Sequence, residues 1–260
     1  MLKIFKYSFF DLIRGKWSLI YFGFFFISSM SLLYISGDVA KVIISLMNII
    51  LLLNPLIATI FGVMYFYNSR EFSELLLAQP IKRRDIFLGQ YLGLSVSLSI
   101  SFILGLLIPF AIFGIFSTNQ VTNAVTLLFV GTILTLIFSA IAFYIALRNE
   151  NKIKGFGTAI FLWLFFAVIY DGIFLLLLMT FNEYPLEKFA LVSMIFNPID
   201  LSRILILLNL DISALMGYTG AVFNQFFGNM LGISISIFVL LIWIVTPIFF
   251  FLRSLKKKDF

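Results

Sequence analysis

The sequence predicts an all-α integral membrane protein of six transmembrane helices, and three observations carry that prediction. Of 260 residues, 62% are hydrophobic and 12% are charged, whereas a soluble domain is about half apolar and a quarter charged. A water-soluble surface cannot be built from that mixture. A hydrocarbon core of about 30 Å is crossed by roughly 20 helical residues rising about 1.5 Å each, and the chain holds several apolar runs of that length. The net charge of +6 lies in short clusters beside those runs, which is a pattern of membrane orientation rather than of nucleic-acid binding.

The elements follow in order. Over residues 1–17, Leu2, Phe5, Phe9, Leu12 and Ile13 recur at helical spacing among Lys3, Lys6, Asp11, Arg14 and Lys16, which predicts an amphipathic helix lying in the membrane interface. A flexible leader is the plainer alternative. A cleaved signal peptide is disfavoured, because charges interrupt the run and no small-residue cleavage site follows. The segment is expected to be retained. Span one is expected over Ser18–Ser36, and the turn Ser36-Gly37-Asp38 leads to span two over Val42–Tyr67. Span three covers Ile86–Phe116, long enough to tilt or to break near Pro109, whose missing N–H permits a kink. Span four covers Val125–Leu147, span five Phe156–Phe181 and span six Gly228–Leu252.

Basic residues near span ends orient such a bundle. Fifteen of the eighteen Lys and Arg fall on one side of the six-span arrangement: in the N-terminal segment, the loop after span two, the loop after span four and the tail. Lys41, Lys188 and Arg203 are left for the other side. Both termini are therefore expected in the cytoplasm, and the whole chain, 1–260, reads as one domain in the inner membrane.

Several chemistries are excluded. With no Cys and no His, thiolate chemistry, imidazole ligation and histidine acid/base catalysis are absent from the chain. The phosphate-cradling pattern G-x-x-x-x-G-K-[S/T] does not occur. The cluster Gly155-Phe156-Gly157 is better read as a turn at a helix start. Met179, Met194, Met216 and Met230 show no chelating spacing and read as packing, so no metal site is expected. Asp171 is the clear ionisable residue inside a span. It suits a polar contact between helices better than a relay, since one acid makes no relay.

The loop over residues 68–85 is the most informative short segment. Asn68 or Ser69 can cap a helix, Glu71 lies in its favourable first turn, and Pro80 disfavours helix at Gln79. About ten residues should thus form a surface helix, with Phe72, Leu75, Leu76 and Gln79 on one face and Lys82, Arg83 and Arg84 beyond, able to meet lipid phosphates. The stretch Arg70-Glu71, Glu74-Leu75-Leu76, Gln79-Pro80 and Lys82-Arg83-Arg84, followed by Gly89-Gln90-Tyr91-Leu92-Gly93, resembles the coupling-helix region of ABC type-two permeases. That resemblance implies a six-helix subunit that pairs with a second copy of itself. It also implies a short helix seated in a cleft of a cytoplasmic ATPase, with Glu71, Glu74, Leu76 and Pro80 at the contact. ATP and Mg would belong to that partner, leaving no cofactor and no catalysis in this chain.

Between spans five and six, over residues 182–227, Asn182-Glu183-Tyr184-Pro185 reads as a turn. Asn197-Pro198-Ile199-Asp200 opens a helix with Pro198 in its first position and Asp200 in its first turn. Asp200 and Arg203, three apart, share a face, and Ile204, Leu205, Leu207 and Leu208 form an apolar side. Asp211 can cap a second short helix through Met216, ended by Gly217. With Gly220, the pair suits a re-entrant outer hairpin rather than a seventh span. Asn197 to Ile204 and Leu210 to Phe223 resemble the permease branch of the nitrous-oxide reductase maturation system, the NosY-type permeases. That resemblance implies a periplasmic β-helical partner and a role in copper-site maturation, with force transmission rather than copper carriage as the task of this subunit. An ABC exporter of a lipid, drug or sulfur compound is the alternative within transport. A non-transporting membrane scaffold is the alternative of another class, and an intramembrane enzyme has the least support.

Overall fold

In the computed structural model, residues 1–36, 38–181, 187–209 and 230–256 are described. Among them every regular element is helical, and six helices are long and apolar enough to cross a membrane. The amphipathic α1 (Leu2–Ile13) is followed by α2 (Lys16–Ser36), α3 (Val39–Asn68) and the short α4 (Arg70–Leu77). Next come α5 (Arg83–Ile112), a 3-10 turn at Ile115–Ser117, and α6 (Val121–Arg148). The fifth span consists of α7 (Lys152–Leu164), a π-helical turn at Phe165–Ile169 and α8 (Tyr170–Thr180). Two shorter helices, α9 (Glu187–Ile195) and α10 (Pro198–Asn209), precede α11 (Met230–Leu255).

Helix ends follow local chemistry. Asp38 caps α3 by accepting the Ala40 amide at 2.9 Å, satisfying a donor that no earlier carbonyl reaches. The cap starts α3 at Val39 rather than at the expected Val42, and Lys41 falls inside its first turn. Asn151 does the same for α7, accepting from Ile153 at 2.8 Å, so that span begins at Lys152. Of the two expectations for span three, a tilt or a break near Pro109, the break does not occur. Pro109 is buried within α5, which continues to Ile112, and the chain reverses at Gly114, whose φ of 66° suits a residue without Cβ.

The central helix is α6, against which α3, α5, α10 and α11 all pack. Small residues set the closest approaches, as membrane helices without a hydrophobic driving force between them require. Gly89 and Gly93 of α5 receive α1: a Cβ at Gly93 would lie 2.5 Å from Ser8 Cβ, and one at Gly89 would lie 3.0 Å from Ile4. The amphipathic α1 therefore docks on the bundle, burying Ile4 and Ser8 while Leu2, Tyr7 and Phe10 stay exposed. The fifth span is peripheral, and its π turn and α8 bury no residue.

The helix expected to open at Pro198 is present as α10. It is not a surface element: Ile199, Leu201, Leu205 and Ile206 are all buried, so apolar side chains face the protein around most of its circumference. The turn at Asn182 to Pro185 and the second outer helix, with Asp211, Gly217 and Gly220, lie outside the described residues. So do the last two lysines of the tail, Lys257 and Lys258. The helix α9 has no counterpart in the sequence reading.

Candidate functional site

Two polar constructions stand out, at separate places in the fold, with a third between them. The first is α4. Only Ser69 separates it from α3, and Ser69 is the cap residue by position. Its side chain makes no cap bond to the helix start. Instead its hydroxyl donates back to the Phe66 carbonyl at 3.3 Å, and Ser73 Oγ donates to the Ser69 carbonyl at 2.8 Å. The helix spans eight residues, Arg70–Leu77, slightly shorter than expected.

Its inner face holds Phe72, Ser73, Leu76 and Leu77. Gln90 Nε2 of α5 donates to the buried Ser73 Oγ at 2.9 Å, and Tyr7 of α1 stacks on Phe72 with ring centroids 4.9 Å apart. A helix this short is unstable alone, so these contacts hold it as a rigid extension of α5 and α1. The outer face carries Glu71 and Glu74, both exposed, together with Leu75 at 69% exposure, and Gln79 and Pro80, also exposed, follow the end of the helix. Arg70 Nε pairs with Glu74 Oε1 at 3.0 Å along that face. The expected grouping of Phe72, Leu75, Leu76 and Gln79 is thereby divided. Of the sequence-derived residues, Glu71, Glu74 and Pro80 project outward, whereas Leu76 packs on the core and anchors the helix.

Beside this helix, Tyr67 at the end of α3 donates to the Asn149 carbonyl at 2.7 Å, tying the α3–α4 corner to the loop between α6 and α7. It lies over Gly155, where a Cβ would stand 2.0 Å from the Tyr67 hydroxyl. That close approach accounts for a glycine at this point in the α7 start.

The second construction joins the fifth span to α10. Arg203 Nη1 donates to Asp200 Oδ1 at 2.9 Å and to Asp171 Oδ2 at 3.0 Å. Asn197 Nδ2 donates to Asp200 Oδ2 at 2.7 Å and to the Phe166 carbonyl at 2.9 Å, while its own Oδ1 accepts from Ile199 and caps α10. Phe166 sits in the π turn, whose wider winding frees carbonyls from the ordinary ladder. Its ring meets Trp243 of α11 edge-on at 5.5 Å, and Trp243 Nε1 donates to the Ile195 carbonyl at 3.0 Å. One node thus ties together α8, α9, α10, α11 and the π turn. Asp171 does find a helix-to-helix partner in Arg203, Asp200 and Arg203 meet as their spacing of three implied, and Asn197 joins them through Asp200. Among the described residues no three His, Cys, Asp or Glu gather to hold a metal.

A third knot, mid-bundle, has no counterpart in the sequence reading. Asn54 of α3 accepts from Tyr21 of α2, accepts from Thr135 of α6 at 3.1 Å, and donates to the Gly131 carbonyl at 2.7 Å. Pro55 follows it within α3, where it removes a backbone donor. Trp163 of α7 donates to the carbonyl of Leu52, three residues earlier, at 3.0 Å. An Asn-Pro pair inside an otherwise apolar run was the available signal, because a buried amide in a membrane needs every partner.

These features define a polytopic α-helical membrane subunit with a short amphipathic helix braced at the surface and polar ties inside the bundle. The family described as ABC-2 family transporter protein matches residues 2–260, and the chain belongs to it. A probable ABC transporter permease protein NosY of Pseudomonas aeruginosa is 28% identical over 189 residues, covering 69% of this chain and 68% of that protein. The chain is therefore a multi-pass permease subunit of an ABC transporter, and such a subunit works with an ATPase partner.

Proposed function

We propose that this chain transmits force across the inner membrane. ATP-driven closure of a partner ATPase moves α4, the bundle shifts with it, and the outer segment containing α10 acts on a periplasmic partner. The observation that carries this reading is the construction of α4. Its inner face is braced to α5 and α1 through Ser73, Gln90, Phe72 and Tyr7, its outer face presents Glu71, Glu74 and exposed Leu75, and exposed Pro80 follows its end. A rigid short helix with one apolar anchor among charges fits a cleft in a soluble motor. ATP and Mg reside on that motor. Orientation with both termini cytoplasmic follows from the distribution of Lys and Arg, and a second copy of the chain seats against the outward flank of the fifth span.

Similarity to a NosY permease, together with the Asn197 to Arg203 segment, supports copper-site maturation of nitrous-oxide reductase as the process served, with a β-helical protein as the periplasmic partner. The reading is tested by the double charge reversal E71K/E74K, purified from its native membrane. The expected result is loss of the co-purifying ATPase with the folded permease retained. ATPase recovery at the unaltered level, with unaltered reductase copper content, would refute it.

A further inference from the structure

The end of the bundle that carries α4 also encloses a cavity of about 400 Å³ between α1, α2, α3, α4 and α5. Five aromatic side chains line it, among aliphatic and small polar ones such as Leu12, Met64 and Ser97. Tyr7 stacked on Phe72 and Trp17 tilted against Phe61 at 5.8 Å contribute two ring pairs to the lining, and Tyr65 adds a fifth ring. Among the described lining residues the single carboxylate is that of Asp11, and no described basic side chain forms an ion pair with it. Tyr7, Asp11 and Gly15 also border an adjoining open shelf where Lys3, Lys6 and Arg14 gather. Arg14 lies over the Phe10 ring at 5.5 Å, outside the cavity. After Trp17 and Ser18, which line the cavity, α2 continues with exposed Leu19, Ile20 and Ile27.

The charges run in a fixed order: cations on the shelf, one acid at the threshold, aromatic faces within. A headgroup that complements this order has a phosphate outside and an ammonium inside. Aromatic faces attract a cation, the carboxylate accepts its N–H bonds, and lysine and arginine at a membrane surface meet phosphate. We infer that this cavity binds the headgroup of a primary-amine zwitterionic phospholipid, phosphatidylethanolamine, from the leaflet in which α1 lies, with the acyl chains running along α2. The site goes beyond the permease reading and does not depend on it, since α4 contributes only a wall. A headgroup without the amine leaves Asp11 facing a phosphate, and a trimethylated one removes the N–H donors.

The test is native mass spectrometry of the full chain in detergent, titrated with phosphatidylethanolamine, phosphatidylcholine and phosphatidylglycerol of matched acyl chains. Phosphatidylethanolamine should bind about fivefold more tightly than either, the scale of one partly exposed charge-assisted contact. D11N should abolish that preference while phosphatidylglycerol binding stays unchanged or rises, D11E should restore it, and R14Q should weaken all three. Asp11 is exposed, so D11N is expected to fold, and retained phosphatidylglycerol binding verifies it. Equal binding of the three lipids, or an unaltered preference in D11N, would overturn the assignment. Water-soluble phosphoethanolamine binding as tightly as the lipid would overturn the lipid as occupant.

Discussion

Replacing Arg203 by Gln removes the one cation of the node that joins the fifth span to α10. Its Nη1 lies 3.0 Å from Asp171 Oδ2 and 2.9 Å from Asp200 Oδ1. At that separation and an effective dielectric of about 20, a unit pair attracts by about 5 kcal/mol. The side chains of Arg203 and Asp171 are 34% and 28% exposed, so water screens much of this, whereas Asp200 is 9% exposed and cannot be rehydrated in place. Without the cation, two carboxylates face each other with Asn197 as the remaining donor to Asp200. Losing one partner of a buried pair costs about 3 to 5 kcal/mol, and the partial exposure lowers the expectation for R203Q to about 2 to 3 kcal/mol. D171N alone should cost about 1 kcal/mol, since it removes one acid and leaves Arg203 paired with Asp200. The double variant should be less destabilised than the sum, with a coupling of about 1 to 2 kcal/mol, because deleting Asp171 relieves the repulsion that R203Q creates. Unfolding by SDS in mixed micelles, followed by tryptophan fluorescence, measures the cycle, and Trp243 reports from beside the node. Additivity within about 0.5 kcal/mol would refute the charge node as a unit.

Two further expectations rest on other contacts. G155A places a Cβ 2.0 Å from the Tyr67 hydroxyl, so overpacking should destabilise by about 1 to 3 kcal/mol. Adding Y67F, which removes only the hydroxyl, should recover part of that loss in the same micelle assay. L75D places a charge at the exposed apolar residue of α4. It should leave unfolding within about 0.5 kcal/mol of the parent, as for most surface changes, yet lower ATPase affinity by about tenfold or more in a pull-down titration, as for an interface anchor.

Much of the fold was legible in one dimension because a bilayer constrains sequence directly. Every backbone polar group in hydrocarbon must be satisfied locally, so a span shows itself as an apolar run of sufficient length. All six spans appear where such runs lie, with ends displaced by caps at Asp38 and Asn151 and by the left-handed Gly114. The surface helix α4 was legible for the same local reason: Glu71 in its first turn and Pro80 after its end are neighbours in sequence. Its facing was not. The 100° step of a helix places Leu75 and Leu76 side by side, and only docking against Tyr7 and Gln90 turns Leu76 inward and Leu75 outward. The π turn was equally hidden, since its carbonyl at Phe166 answers an asparagine 31 residues away.

Composition, run length and charge distribution are properties of the chain alone, and they were enough to read a six-span membrane protein with a surface helix after the second span. Pairing across the bundle is different in kind. Asp171 and Arg203, Asn54 and Tyr21, Ser73 and Gln90 are each separated by at least 17 residues, and no local preference links them. Helices that all satisfy the bilayer equally well are arranged by close approach at glycines and by the need of each buried polar group for a partner. Those pairwise conditions exist only once the helices have packed.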